Sequence, residues 1–153
     1  MGSVLTIIEH FGGNVKKSSL SAITFAKQLA EKAGTHFDIA LIGSGVAGLA
    51  GSVKKYGAKT VYLLDAPLFE KYLAQSFSFA VGELVAKAGA DYVCAVSSTL
   101  TRDFLPRVAA RLNAGMVSET LGVTDGGFLR PMWAGNVVAE VKVNTQKAVF
   151  TVR

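Results

Sequence analysis

Arg102-Asp103-Phe104-Leu105-Pro106-Arg107-Val108-Ala109-Ala110-Arg111-Leu112 follows directly on the apolar run Tyr92-Val93-Cys94-Ala95-Val96 and the hydroxyl triplet Ser97-Ser98-Thr99. Five apolar residues in a row have the length of a buried strand. Leu105, Val108, Ala109 and Leu112 then recur at helical spacing, which predicts a helix from about Thr101 with those four turned inward. Pro106 has no N–H and fits best in a first turn, which moves the expected start to Leu105. The pair reads as one step of a strand–helix alternation.

Working back toward the N-terminus, the same alternation recurs. Residues 4–9 form a short apolar strand and residues 10–17, with Gly12-Gly13, a loop. Ser18 or Ser19 can cap a helix over residues 20–33. Ile23, Ala26, Ala30 and Ala33 share its inner face, Lys27, Gln28, Glu31 and Lys32 lie off it, and Gly34 ends it. Residues 37–42 and 60–64 read as strands, with a glycine-rich turn and a short helix to Tyr56 between them. Residues 75–88 read as a longer helix with Phe77, Val81, Leu84 and Ala88 on one side. Strand, helix, strand, helix demands a parallel sheet covered on both faces, because right-handed crossovers place helices there.

Beyond Leu112 the pattern changes. Residues 116–123 are strand-like, Asp125-Gly126-Gly127 is a hairpin signal, and Val137, Ala139, Val141 and Val143 alternate with Val138, Glu140, Lys142 and Asn144. Residues 144–147 turn, and residues 149–152 make a last strand. These are read together as an antiparallel tail. The expected fold is one α/β domain over residues 1–153, Rossmann-like and three-layered, with a mostly parallel doubly wound sheet and an antiparallel C-terminal extension.

Composition narrows the function classes. Half of the 153 residues are apolar and 18% are charged, which fits a globular chain with a sizeable core and argues against disorder. No apolar run reaches the roughly 18–20 residues that span a bilayer, so no membrane insertion is expected. The formal charge is +5, but Lys and Arg are scattered, so an acidic partner surface is expected and nucleic acid is not. Cys94 stands alone, which excludes an intrachain disulfide or a multi-cysteine metal site and leaves a small core residue. Met1-Gly2-Ser3-Val4-Leu5-Thr6 fits a loose myristoylation pattern, but the strand from Val4 pulls Gly2 toward the fold.

Two motifs carry possible chemistry. Ile42-Gly43-Ser44-Gly45-Val46-Ala47-Gly48 fits the dinucleotide fingerprint after a strand, with Asp65 placed where a ribose-binding acid belongs. Against that, it follows the second strand of the chain and opens a short helix that itself contains Gly51. Gly43, Gly45, Gly48 and Asp65 therefore stand as an alternative cofactor site beside the reading of a structural turn. The second motif is the arginine–proline element. Ser97-Ser98-Thr99, at a strand's carboxyl end, can cap the next helix or bind an anion. Arg102 stands near a helix start, where the dipole disfavours a cation. Arg107 and Arg111, four apart, share a face. A solvated basic face is one reading and a docking surface the other. His10 and His36 are the only histidines and each adjoins a loop. No catalytic triad, carboxylate pair or metal spacing emerges, so neither a catalytic residue nor a metal is expected.

Thr101 through Leu112, with its basic residue, Pro-Arg pair and alanine-rich helix, resembles the signature of the electron transfer flavoprotein alpha subunit family. Arg130-Pro131-Met132-Trp133-Ala134-Gly135-Asn136 is similar to that family's arginine-led hairpin ending in Ala-Gly-Asn. Leu5-Thr6-Ile7-Ile8-Glu9-His10 resembles its first strand and Phe150-Thr151-Val152-Arg153 its domain-closing segment. Thr101 stands where Gly is usual and Glu119 where Asp is usual, and the stretch from Gly43 to Gly48 is richer in glycine.

The resemblance implies the N-terminal domain of the alpha subunit, without the second domain that carries most FAD contacts. It implies a scaffold with no bond-making chemistry, in a heterodimer with the beta subunit that moves electrons from dehydrogenases to an acceptor. FAD belongs to the complete family protein, and no cofactor is expected in this chain alone. Arg102, Arg107, Arg130, Trp133 and Asn136 are the expected contacts to the flavin domain or beta subunit. Location would follow lineage, as bacterial cytoplasm or mitochondrial matrix.

Overall fold

A computed structural model describes residues 2–153; Met1, and with it the start of the myristoylation pattern, lies outside the described residues. The chain opens with β1 (Ser3–Ile8), a small hairpin of β2 (His10–Phe11) and β3 (Asn14–Val15), and α1 (Ser19–Ala33). There follow β4 (Phe37–Gly43), a 3-10 turn, the short α2 (Ala50–Lys54), β5 (Val61–Asp65), a second 3-10 turn (Pro67–Phe69) and α3 (Ala74–Ala88). Next come β6 (Ala90–Val96), α4 (Thr99–Leu112), β7 (Gly115–Thr120), β8 (Gly122–Val123), β9 (Phe128–Met132), β10 (Val137–Val141) and β11 (Ala148–Val152).

The main sheet has six strands in the order β5-β4-β1-β6-β11-β7, and every pairing in it is parallel. A second sheet, β10-β9-β8, is antiparallel. The expected fold class is therefore the one found. The last strand is a correction. Its sequence AVFTV is buried at every position and seats between β6 and β7 in parallel register. β7, also expected in the antiparallel tail, pairs parallel with β11, so of that tail only β8 to β10 are antiparallel, as an excursion between two strands of the main sheet. A continuous apolar run needs cover on both faces, which a central parallel strand has. The loop expected over residues 10–17 also contains the β2–β3 hairpin.

Alternation along the strands divides the core in two. Val4 and Ile8 of β1 face α1, the segment of Leu49 and Val53, and the antiparallel sheet. Leu5 and Ile7 face α3 and α4. Phe25, Phe128 and Phe150 fasten the antiparallel sheet to the first face, with Phe128 and Phe150 ring centroids 4.6 Å apart. Cys94 is wholly buried in this layer, and burial pushes its thiol up to about 12.

Helix ends follow local chemistry. Gly34 and Gly89 take left-handed conformations that close α1 and α3. Ser18 precedes α1 but makes no side-chain cap bond; the Oγ of Ser19 instead accepts the Glu9 N–H at 3.0 Å. The start of α4 lies earlier than Pro106 suggests. Ser98 accepts the Thr101 N–H and the Thr101 hydroxyl accepts the Ser98 N–H, a capping box that starts the helix at Thr99. Pro106 then lies inside the helix on its exposed side. Among the described residues no helix is long and apolar enough to cross a membrane.

Candidate functional site

The sheet's carboxyl end is where open α/β folds collect ligands, above all where the chain order reverses, here between β1 and β6. Glu9, just past β1, is 6% exposed there. Its carboxylate accepts from the Ser98 hydroxyl and from Lys16 Nζ at 3.1 Å. One step along, Ser97 donates to the Glu119 carboxylate. The hydroxyl triplet thus does both things its chemistry allows. It caps α4, and the anions it holds are the chain's own side chains.

The glycine-rich turn is satisfied in the same way. Gly45 and Ala47 point their N–H groups at the Asp65 carboxylate, at 2.7 and 3.2 Å. Asp65 binds this turn itself, so a pyrophosphate would have to displace it. A Cβ on Gly43 would come within 2.8 Å of the His10 ring and 2.6 Å of Val46. His10 packs there with Nε2 2.8 Å from the Ile42 carbonyl. Gly43 is thus required by packing and Gly45 by its positive φ of 72°. The residues present do not fit a dinucleotide at this turn.

A different set converges further along the same end of the sheet. An open cavity of about 490 Å³ is walled by Arg102, Arg130, Arg153, Glu119 and the turn Met132 to Gly135. The first turn of α4 supplies Arg102, β9 supplies Arg130, and Arg153 follows β11. Arg130 donates from Nη2 to Ser118 Oγ at 3.1 Å, while its Nε is buried with no acceptor among the described residues. Such a donor costs about 1–3 kcal/mol until it is satisfied. Trp133 stands at the tip, 75% exposed, beside a half-exposed Met132.

Backbone strain gathers here. Glu119, Trp133 and Ala134 have φ of 57°, 49° and 54°, in the left-handed region that costs a residue with a Cβ about 1–2 kcal/mol. Glu119 is pinned by its bond from Ser97 and by its N–H, which donates to Thr151 at 2.9 Å. Strain of this kind clusters where a surface has to be held in one shape.

The five expected contact residues therefore divide. Arg102, Arg130 and Trp133 come together. Asn136 closes the Trp133 turn, its N–H donating to the Trp133 carbonyl at 3.1 Å, and stays outside the cavity wall. Arg107 faces a separate groove together with Arg111. Glu119 and Arg153 join the wall without a site signal in the sequence. No local pattern marks them, because they meet Arg102 only once β11 has returned to the main sheet.

Comparison with known proteins gives the family. Residues 4–153 match the electron transfer flavoprotein domain. The chain is 33% identical over 156 residues to the mitochondrial electron transfer flavoprotein subunit alpha of Dictyostelium discoideum, covering 97% of this chain and 43% of that one. It is 31% identical over 155 residues to the subunit alpha of Pseudomonas aeruginosa, covering 99% and 48%. With that of Thermoanaerobacterium thermosaccharolyticum it shares 29% over 139 residues, covering 88% and 42%. The chain thus spans less than half the length of each of these relatives.

Proposed function

The chain belongs to the electron transfer flavoprotein domain family, of the alpha-subunit kind, and we propose that it is the partner-binding scaffold of such a carrier. In this reading residues 1–153 form one α/β domain that does no bond-making chemistry. It supports a heterodimer with a beta subunit, and the complex takes electrons from dehydrogenases to a downstream acceptor. FAD belongs to the flavin domain of the complete carrier and not to this domain. The compartment is the bacterial cytoplasm or the mitochondrial matrix, according to source.

One observation carries the reading. An exposed tryptophan, itself one of three strained non-glycine residues, shares one small cavity wall with three arginines, one of which has a buried N–H with no acceptor among the described residues. Tryptophan and arginine dominate binding hot spots because they combine large apolar area with directional donors. A partner carboxylate or carbonyl would complete the Arg130 hydrogen bonding, and burial of Trp133 would supply the apolar part. Arg107 and Asn136 extend the proposed contact zone, Arg107 on the adjoining face of α4.

The test is the affinity of the chain for the beta subunit, measured by calorimetry for the wild type, Trp133→Ala and Arg130→Ala. Loss of at least about 30-fold, or 2 kcal/mol, in either variant is expected. Unchanged affinity in both would move the interface elsewhere.

A further inference from the structure

A helix with its side chains is about 10 Å across and strands lie about 4.8 Å apart, so one helix covers about two strands. Six strands therefore call for three covering elements on each face. The face of Val4 and Ile8 has three: α1, the α2 segment and the antiparallel sheet. The opposite face has two, α3 and α4, supplemented only by the three-residue turn at Pro67–Phe69. The slot left over lies above β5, beside α3. It forms an open groove of about 1000 Å³.

The groove's surface differs from that of an ordinary exposed face. Leu63, Leu68, Leu73 and Phe79 are 40%, 62%, 60% and 55% exposed along it. Tyr62 and Leu64 of β5 reach the groove from beneath and join the core only in part. β5 is also an edge strand, with no strand on its outer side among the described residues. Behind the lining the packing is firm: the Tyr72 hydroxyl donates to Asp103 at 2.7 Å, and Phe77 meets Phe69, Tyr72 and Phe104 edge to face. Burial and the adjacent Asp103 carboxylate hold the Tyr72 phenol protonated far above neutral pH.

Charge identifies the occupant. Lys87, Arg107 and Arg111 stand on the rim, with Glu83 the one acid among the lining residues. Arg111 lies over the Phe79 ring at 5.7 Å, which keeps its guanidinium at the mouth of the groove. A second copy of the chain would bring the same basic rim and a formal charge of +5 against it. Its helices α1, α3 and α4 already bury their apolar sides in their own core. We propose that this slot receives an acidic amphipathic helix from a partner protein, with its apolar face on Tyr62, Leu64 and Phe79 and its carboxylates against Lys87, Arg107 and Arg111. This site is separate from the Arg102–Trp133 cavity, and of the contact zone proposed above it uses only Arg107.

The probe is a synthetic helical peptide of about 18 residues, with leucines at i, i+3, i+4 and i+7 spacing and glutamates elsewhere. Binding to the purified chain is followed by amide shift mapping and fluorescence anisotropy. Shifts confined to β5, α3 and the Arg107–Arg111 stretch are expected, with affinity falling about tenfold or more in Arg111→Glu. The double variant Leu68→Ser, Leu73→Ser alters exposed residues only and should lose binding while keeping the wild-type unfolding midpoint. The proposal is overturned if a lysine-for-glutamate peptide binds as well, or if the shifts fall elsewhere or do not occur. It is equally overturned if vesicles of neutral phosphatidylcholine compete for the groove, or if sedimentation shows a dimer of the chain that Phe79→Ser dissolves.

Discussion

The two edges of the main sheet are managed in opposite ways. At the β7 edge the chain leaves the sheet, builds β8, β9 and β10 beside it, and returns as β11 to fill the position next to β7. The excursion is fastened by Phe128 against Phe25 and Phe150, and by Arg130 on Ser118. At the β5 edge no further strand is added among the described residues. Val61 to Leu64 present an apolar strand whose guards are only Lys59 before it and Asp65 and Pro67 after it. Native edges are normally covered, charged or kinked, because a bare apolar edge recruits other chains. The contrast is between an edge that the chain covers with its own excursion and an edge that has no cover among the described residues.

The largest expected effect lies at the covered edge. Phe150 is wholly buried and touches Phe25, Tyr92 and Phe128. Phe150→Ala should cost about 3–5 kcal/mol, a large share of the 5–15 kcal/mol typical of a domain. Urea unfolding reads this directly. A loss under about 1 kcal/mol would mean that the antiparallel sheet is not fastened through this cluster, and the distinction between the edges would weaken.

A second, smaller effect is pH-dependent and sits at the amino end of the strands that lead to the covered edge. Asp91 accepts from the Gly2 N–H at 2.7 Å and from Lys147 Nζ at 3.1 Å, and Lys147 also donates to the Ala90 carbonyl at 2.6 Å. The pair ties the start of β6 to the residue that precedes β11. The Gly2 hydrogen bond, with Lys147 beside it, holds the Asp91 carboxyl below its ordinary value against the opposing effect of burial. A carboxylate with a lowered folded-state pKa stabilises the fold above its unfolded value of about 3.9 and loses that contribution as pH falls through the folded value. Asp91→Asn should therefore lose about 1–2 kcal/mol at neutral pH and converge on the wild type in acid. Equal losses at pH 7 and in acid would mean that the carboxylate charge has no part in seating β11.

Much of the fold is legible because its signals are local. Gly34 ends α1, the Asp125-Gly126-Gly127 turn joins β8 to β9, and the inward residues of α1, α3 and α4 keep helical spacing. The place of β11 is less so. Ala148 to Val152 follow directly on a strand that alternates apolar and polar residues, and chain proximity groups the two. The distinguishing sign lies mostly beyond the strand's end, since residues 139–144 alternate apolar with polar or charged residues, whereas AVFTV carries a single uncharged polar residue. Pro106 misleads for a related reason: a proline preference for the first turn yields to the capping box of Ser98 and Thr101, which starts the helix at Thr99, about two turns before Pro106. Of the candidate site, Arg102, Arg130 and Trp133 carry visible sequence signals. Glu119 and Arg153 do not, because their neighbours are fixed by pairings between strands far apart in the chain.

The smallest expected effect belongs to the bare edge and is the sharpest test of the contrast. Leu63 is 40% exposed at the centre of β5. Leu63→Lys removes apolar surface that is already partly in water and places at the edge the residue that natural sheets use as a guard. If nothing within the chain covers this strand, the unfolding midpoint should stay within about 0.5 kcal/mol of the wild type. Self-association at high concentration should fall, because the added charge opposes strand-to-strand pairing. A loss of about 2 kcal/mol or more is what burial of a leucine implies. It would show that the chain itself seals β5 in solution, and both edges would then be closed from within.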